Sequence, residues 1–320
     1  MSDTYSFNPP RVLRNPHLQT LLSYAIKRSG HLQSTLDLMT LEDGDKIALE
    51  ISTPTNWEKS APTVLLMHGI GGSSQSPYLK RVASKLKSKN IQTVRLNFRG
   101  IGKGLGLAKK ISHGGSSQDI YETILYLKSK YPQSPLTVVG FSLSGNMLLK
   151  LAGERSFINE IEKVIAICPA IDLATSSKRM NRWDNRIYKN SILSSLIEIV
   201  ESKNSNFLYK SQKPLKECKS LWDFDNYFTA PASGFKSVTD YYQKSSAYSL
   251  ISKIKNKTHL LFAQDDPLVS SSKIKEISLP TNIELVLTQY GGHMGFINGL
   301  FKSDPFWMDH LLMHWILKKE

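Results

Sequence analysis

Apolar positions along the chain come in two alternating patterns, short continuous runs and stretches with helical spacing. Thr63-Val64-Leu65-Leu66-Met67 is an unbroken apolar run of strand length, the pattern of a strand buried on both faces of a parallel sheet. Leu79, Val82, Ala83 and Leu86 then recur at helical spacing and predict an amphipathic helix over residues 78–89. A strand at 91–98, a helix marked by Ile120, Ile124 and Leu127, and a strand over Leu136-Thr137-Val138-Val139 follow. Met147 to Leu151 continue a further helix, and Val164-Ile165-Ala166-Ile167 is the next strand. Ahead of this series, residues 36–52 alternate apolar and polar on either side of Asp43-Gly44, which predicts a hairpin.

Strand and helix in alternation define an α/β fold with a doubly wound, mostly parallel sheet. The rhythm breaks near Asp172 and returns only with strands at 258–263 and 283–287 and a last helix at 305–318. Residues 172–246 are polar, basic and aromatic without a strong strand. They are expected to form a cap inserted into one domain spanning 1–320, whose core is 1–171 and 247–320. Such a cap covers the carboxyl edge of the sheet, where open α/β folds bind ligands.

Composition narrows the function classes. The chain has 320 residues, 40% of them hydrophobic, with no apolar run near the 18 or so residues a membrane span needs and no compact signal-peptide core at its start. A cytoplasmic protein is the expectation. Two cysteines, Cys168 and Cys218, are too few for a disulfide framework and lack metal-ligand spacing. The net charge of +14 is spread over solvated helix faces and comes with no nucleic-acid motif. It argues against a nucleic-acid partner and leaves loose attraction to anionic membrane surfaces.

The chemistry concentrates in Val139-Gly140-Phe141-Ser142-Leu143-Ser144-Gly145, which closes a buried strand and opens a helix. A nucleophilic serine on a sharp strand-to-helix turn needs small residues two positions to either side, so that neighbouring backbone can pass. Gly140 meets the first requirement, and Ser144 stands where glycine is usual in the second. In folds of this kind the acid and then the base follow the serine along the chain. Among the histidines downstream of a plausible acid, His310 and His314 sit a turn apart on the last helix, the setting of surface or packing residues. His293, in Tyr290-Gly291-Gly292-His293, lies in a loop directly after a strand and is the expected base. The acid comes from Asp265-Asp266-Pro267-Leu268-Val269. Asp266 is favoured, because Asp-x-x-Val after the strand is the usual arrangement, and Asp265 stays open as the alternative. The backbone N–H of Leu143, and that of Ile70 in His68-Gly69-Ile70-Gly71-Gly72, are the expected oxyanion donors. That glycine loop has neither a Walker lysine nor G-x-G-x-x-G spacing, so a phosphate site is not indicated.

With Asn15-Pro16-His17-Leu18-Gln19-Thr20, Ser76-Pro77-Tyr78, Leu96-Asn97-Phe98-Arg99-Gly100, Phe224-Asp225, Thr229-Ala230-Pro231 and Asp240-Tyr241-Tyr242, these motifs run nearly end to end. On them the chain resembles the YheT-like branch of the α/β-hydrolase superfamily, which includes the eukaryotic ABHD1/2/3-type lipid hydrolases. The resemblance implies a Ser142–Asp–His293 triad and carboxylesterase or lipase activity on short- to medium-chain acyl esters or lipids, with no metal or organic cofactor. Acyl transfer to an alcohol, or a non-catalytic module keeping only the pocket, are the alternatives. Arg99 and Asn97, closing a buried strand, are read as loop braces. His113 is read as a structural hydrogen-bonder. Trp222, Phe224, Tyr227, Phe228, Tyr241 and Tyr242 either line an acyl pocket or pack the cap on the core.

Overall fold

The structure is a computed structural model and describes residues 5–26, 32–201 and 213–318. Eight strands make one sheet: β1 (Thr35–Thr40), β2 (Lys46–Ser52), β3 (Thr63–Met67), β4 (Gln92–Asn97), β5 (Leu136–Phe141), β6 (Lys163–Ile167), β7 (Lys257–Ala263) and β8 (Ile283–Thr288). Their spatial order is β1-β2-β4-β3-β5-β6-β7-β8. The first hairpin adds antiparallel to β4, and every pairing from β4 to β8 is parallel.

The unbroken apolar runs are what a sheet covered on both faces demands. Along β3, Val64 and Leu66 join one buried cluster with Leu79 and Val82 of α2 (Pro77–Lys87) and Leu312 and Trp315 of α11 (Trp307–Leu317). Leu65 and Met67 point the other way, to Ile120 and Ile124 of α3 (Ser117–Lys130) and Leu148 of α4 (Leu143–Arg155). Each of these side chains is removed from water, and truncating one such leucine to alanine costs about 2–5 kcal/mol. One strand therefore anchors both layers of the core.

Three expectations shift in detail. The last helix begins at Trp307, because Asn298 N–H is bonded to Pro305 O and an isolated bridge joins Ile297 to Phe306 just before it. Leu36 and Leu38 of β1 face out, 51% and 43% exposed, and Met39 is the buried residue of this edge strand. The polar start also holds a helix, α1 (Pro16–Ala25). Proline opens it at its first turn, and the Asn15 side chain accepts from Leu18 N–H.

The chain runs β3 to β4 on one side, then returns to lay β5 on the other side of β3. The carboxyl ends of β3 and β5 thus form a topological switch point, where the flanking loops diverge and leave a crevice. Between β6 and β7 the described residues form only helices and turns. These are α5 (Leu173–Met180), α6 (Arg186–Glu201), α7 (Leu221–Phe224), a π-helical turn (Asp225–Thr229), α8 (Ala230–Ala232) and α9 (Val238–Ser245). The short α10 (Ser272–Lys275) separates β7 from β8.

Candidate active site

Ser142 stands at the switch point, between the end of β5 and the first residue of α4, with φ 54° and ψ −113°. A non-glycine residue in that region is strained by roughly 1–3 kcal/mol and persists only where its surroundings over-determine it. The surroundings are specific. A Cβ on Gly140 would lie 2.6 Å from Ser144 O and 2.8 Å from Gly145 Cα, so only glycine fits. Ser144 is fully buried, and its Oγ accepts from Phe141 N–H (2.8 Å) and donates to Met67 O (2.7 Å). The departure from glycine therefore ties the elbow to the end of β3.

The His293 loop follows β8 and is clamped from the N-terminal segment. His293 N–H donates to Thr20 Oγ1 (2.9 Å), while the buried Gln19 amide spans Leu13 O, Ile297 O and Ile297 N–H. Gly292, at φ 56°, lies so close to Pro16 O that a Cβ would overlap it. The Asn15-to-Thr20 motif thus holds the histidine loop. Residue-by-residue reading of the sequence gave no role to Gln19 or Thr20, since the partners that tie them to the histidine loop, Ile297 and His293, lie more than 250 positions away; the only signal was the motif itself.

Side chains from three strand ends then meet. His293 Nε2 lies 3.0 Å from Ser142 Oγ, and His293 Nδ1 lies 2.7 Å from Asp266 Oδ2. All three residues are buried. The other oxygen of Asp266 accepts from Leu268 N–H (2.8 Å) and Val269 N–H (2.9 Å), which explains the Asp-x-x-Val spacing. Asp265 turns elsewhere. Its Oδ1 accepts from Gly292 N–H (2.9 Å), its Oδ2 is buried without a partner, and burial raises its pKa.

Leu143 N–H opens α4, where no intrahelical acceptor exists, and Ile70 N–H has no backbone acceptor among the described residues. Both residues line the same cleft as Ser142 and His293, a cavity of about 740 Å³. The loop carrying Ile70 is braced by His68. Its Nδ1 sits 2.8 Å from Gly69 O and its Nε2 3.5 Å from Phe98 N–H, so Nδ1 donates and Nε2 accepts. Burial pushes this imidazole down to about 4, which keeps it neutral. A smaller chamber of about 60 Å³ continues the cleft past Ile70 and Leu143.

The remaining candidates take structural places. The Arg99 guanidinium is bound by Asp119 (2.7 Å), Asp43 (2.8 Å) and Asp45 (2.6 Å). Asn97 Oδ1 accepts from Ser74 N–H (2.9 Å). His113 accepts from Gly115 N–H through Nδ1 (3.1 Å), and burial first, then Lys150 and Arg99, lower it to about 4. His310 pairs with Asp304 (3.2 Å) and His314 packs edge-on against Tyr5. The aromatic group divides: Tyr241 and Tyr242 line the cleft, Phe224 the chamber, Phe228 stacks under Phe224, and Trp222 is 43% exposed. Among the described residues one group has metal-ligand spacing, Cys168, Asp266 and His293, with ligand atoms within 4.8 Å of one another. Its chemistry does not suit a metal. Burial holds the Cys168 thiol protonated, whereas a metal needs the thiolate.

The model of the alpha/beta hydrolase fold matches residues 62–300, and the chain belongs to that family. Within it the chain falls in the branch of YheT and the ABHD lipases. It is 28% identical to the putative esterase YheT of Escherichia coli, over 98% of this chain and 94% of that one. It is 26% identical to monoacylglycerol lipase ABHD2 of Danio rerio, over 97% and 77% of the two chains. Among solved structures it resembles an esterase of Pyrococcus furiosus with a TM-score of 0.55, at 20% identity over 90% of each chain. Among the described residues no helix is long and apolar enough to cross a membrane.

Proposed function

We propose that this chain is a carboxylic ester hydrolase that cleaves acyl esters through an acyl-enzyme on Ser142. The observation that carries this reading is the continuous contact from Asp266 through His293 to Ser142. His293 Nδ1–H donates to Asp266, which leaves Nε2 as the acceptor for the Ser142 proton. Ser142 Oγ attacks the ester carbonyl, and the Leu143 and Ile70 N–H groups receive the oxyanion. His293 returns the proton to the leaving alcohol, then activates a water that releases the acid.

The helices between β6 and β7 act as the cap, since Tyr188, Ile192, Tyr241 and Tyr242 line the cleft from that side. Acyl esters of lipid character suit the apolar mouth. Leu21, Tyr24, Leu105 and Ile187 all line the cleft while remaining at least 42% exposed. Exposed Lys103 and Arg186 lie close to Leu105 and Ile187 along the chain, an arrangement that favours an anionic lipid surface. YheT, ABHD2 and the Pyrococcus protein bear esterase or lipase names, which agrees with this class. The test is turnover of p-nitrophenyl esters of increasing chain length by the wild type and by Ser142→Ala. Ser142→Ala is expected to abolish turnover, and a fully active Ser142→Ala protein would overturn the scheme.

A further inference from the structure

We propose that Asp225 is a specificity residue of the acyl site, and that the preferred acyl chain carries a hydrogen-bond donor, a hydroxyl or a protonated amine. The proposal rests on the hydrolase reading above.

The direction of the acyl chain follows from the proton path. His293 must reach the leaving oxygen, so the alcohol lies on the His293 side of the cleft. The inner chamber shares Ile70 and Leu143 with the cleft but not His293, so it lies on the opposite, acyl side. Its walls are mainly apolar, including Phe98, Met147, Val200 and Phe224. The volume suits a short chain or a few waters.

Asp225 lines both the cleft and the chamber, at their junction. Asp225 is partly buried, and it forms part of the wall of both cavities. A carboxylate withdrawn into a mainly apolar cavity wall is commonly compensated by a cation. Here only hydroxyls serve it. Tyr242 Oη donates from 2.8 Å and Thr229 also donates, but no ion pair to Asp225 forms among the described residues. Arg99, the one basic side chain with a full charge on the chamber wall, is taken up by Asp43, Asp45 and Asp119. The described residues lining the cleft include no lysine or arginine, in a chain of net charge +14, but do include Glu198.

A second observation points to the same residue. Asp225 starts a π-helical turn inserted between α7 and α8, an irregularity that is rare and gathers at functional sites. A carboxylate accepts about four hydrogen bonds, so two hydroxyls leave it capacity toward the cavity. An acceptor with spare capacity on a cavity wall disfavours a purely apolar chain, which would desolvate it without a donor. An acyl chain bearing a hydroxyl or ammonium supplies that donor.

The test compares ethyl hexanoate with ethyl hydroxyhexanoates, the hydroxyl moved along the chain, and with ethyl ω-ammoniohexanoate. Wild-type protein is expected to favour at least one donor-bearing ester by about tenfold or more in kcat/KM, mostly through KM. Asp225→Leu should erase or invert that preference, read as the ratio of kcat/KM between the donor-bearing and the plain ester. Asp225→Asn keeps an acceptor, so it separates the donors: a hydroxyl preference survives it, and an ammonium preference is lost. If wild type hydrolyses all these esters equally, the assignment of Asp225 falls while the hydrolase reading stands. Should Asp225→Leu slow every ester alike, Asp225 is structural and the proposal is overturned. If wild type turns over none and Ser142 takes no fluorophosphonate label, the hydrolase reading fails first and this proposal with it. The wild-type comparison needs no variant to fold.

Discussion

The carboxyl edge of the sheet and the helical segment over it are built on different terms. At the edge, each proposed catalytic residue is fixed through main-chain groups: Ser142 by a strained turn, Asp266 by two backbone N–H donors, and the His293 loop by the bond from its own N–H to Thr20 Oγ1. In the helical segment, Asp225 is fixed through side chains, where Tyr242 Oη joins it to Ser177. Backbone constraints leave a local mark in the sequence, because only certain residues satisfy them. Side-chain constraints between helices leave none. On the proposed reading the two regions divide the work, with chemistry at the edge and selection among substrates in the helical segment.

That contrast can be broken at several points. The largest effect belongs to the two neighbouring aspartates. Asp266→Asn is expected to lower kcat about ten-thousandfold, as when a histidine loses its orienting carboxylate, while Asp265→Asn costs less than about tenfold. Steady-state ester kinetics on both variants checks this, and a reversed order would move the acid to Asp265.

Next come the glycines. Gly140→Ala forces a methyl into Ser144 O and the Gly145 backbone and should cost about 3 kcal/mol or more. Gly234→Ala, in the helical segment, has open space around it and only its φ of +79° to oppose it, for about 1 kcal/mol. Chemical denaturation of the two proteins gives the comparison directly.

Asp225 sets a third test, of stability against pH. Burial is the main cause that raises its carboxyl to about 6, above the ordinary 3.8, with Thr229 and Tyr242 pulling part of the way back. The folded chain therefore binds the extra proton between about 4 and 6, and the residue's stability contribution is lost as pH rises through 6. Asp225→Asn should stabilise the protein by up to about 3 kcal/mol near pH 8, with the gain gone below about pH 4. Urea titrations at the two pH values measure it. A loss of stability near pH 8 would mean that the carboxylate has a favourable partner.

Smaller effects follow at the borders of the two regions. Thr20→Val removes the acceptor of His293 N–H and should lower kcat by about ten- to a hundredfold with KM little changed. Trp222→Ala, half in solvent and away from the cleft, should change stability by less than about 0.5 kcal/mol and leave turnover alone.

How much could be read from the chain alone follows the same division. Val64 to Met67 announced a doubly covered strand because both faces of β3 are buried. Gly140, Ser142, Asp266 and His293 were legible because turn, strand end and loop each restrict the residues they accept. The exposed side of β1 was misleading, since an edge strand tolerates Leu36 and Leu38 in water. Thr20 and Gln19 stayed hidden because the partners on the histidine loop lie across the sequence, and nothing local to Ser144 announces that its hydroxyl donates to Met67 O. The place of Asp225 could not be read at all. It depends on a π-helical turn and on the packing of α9, neither of which periodicity records.

The central claim is that Ser142 is the nucleophile, activated through His293. It is tested most directly by fluorophosphonate labelling followed by mass-spectrometric mapping, on wild type and His293→Ala side by side. An adduct on Ser142 that forms readily in the wild type and is strongly slowed in His293→Ala is the predicted result. An adduct on another residue, or labelling of Ser142 indifferent to His293, would contradict it.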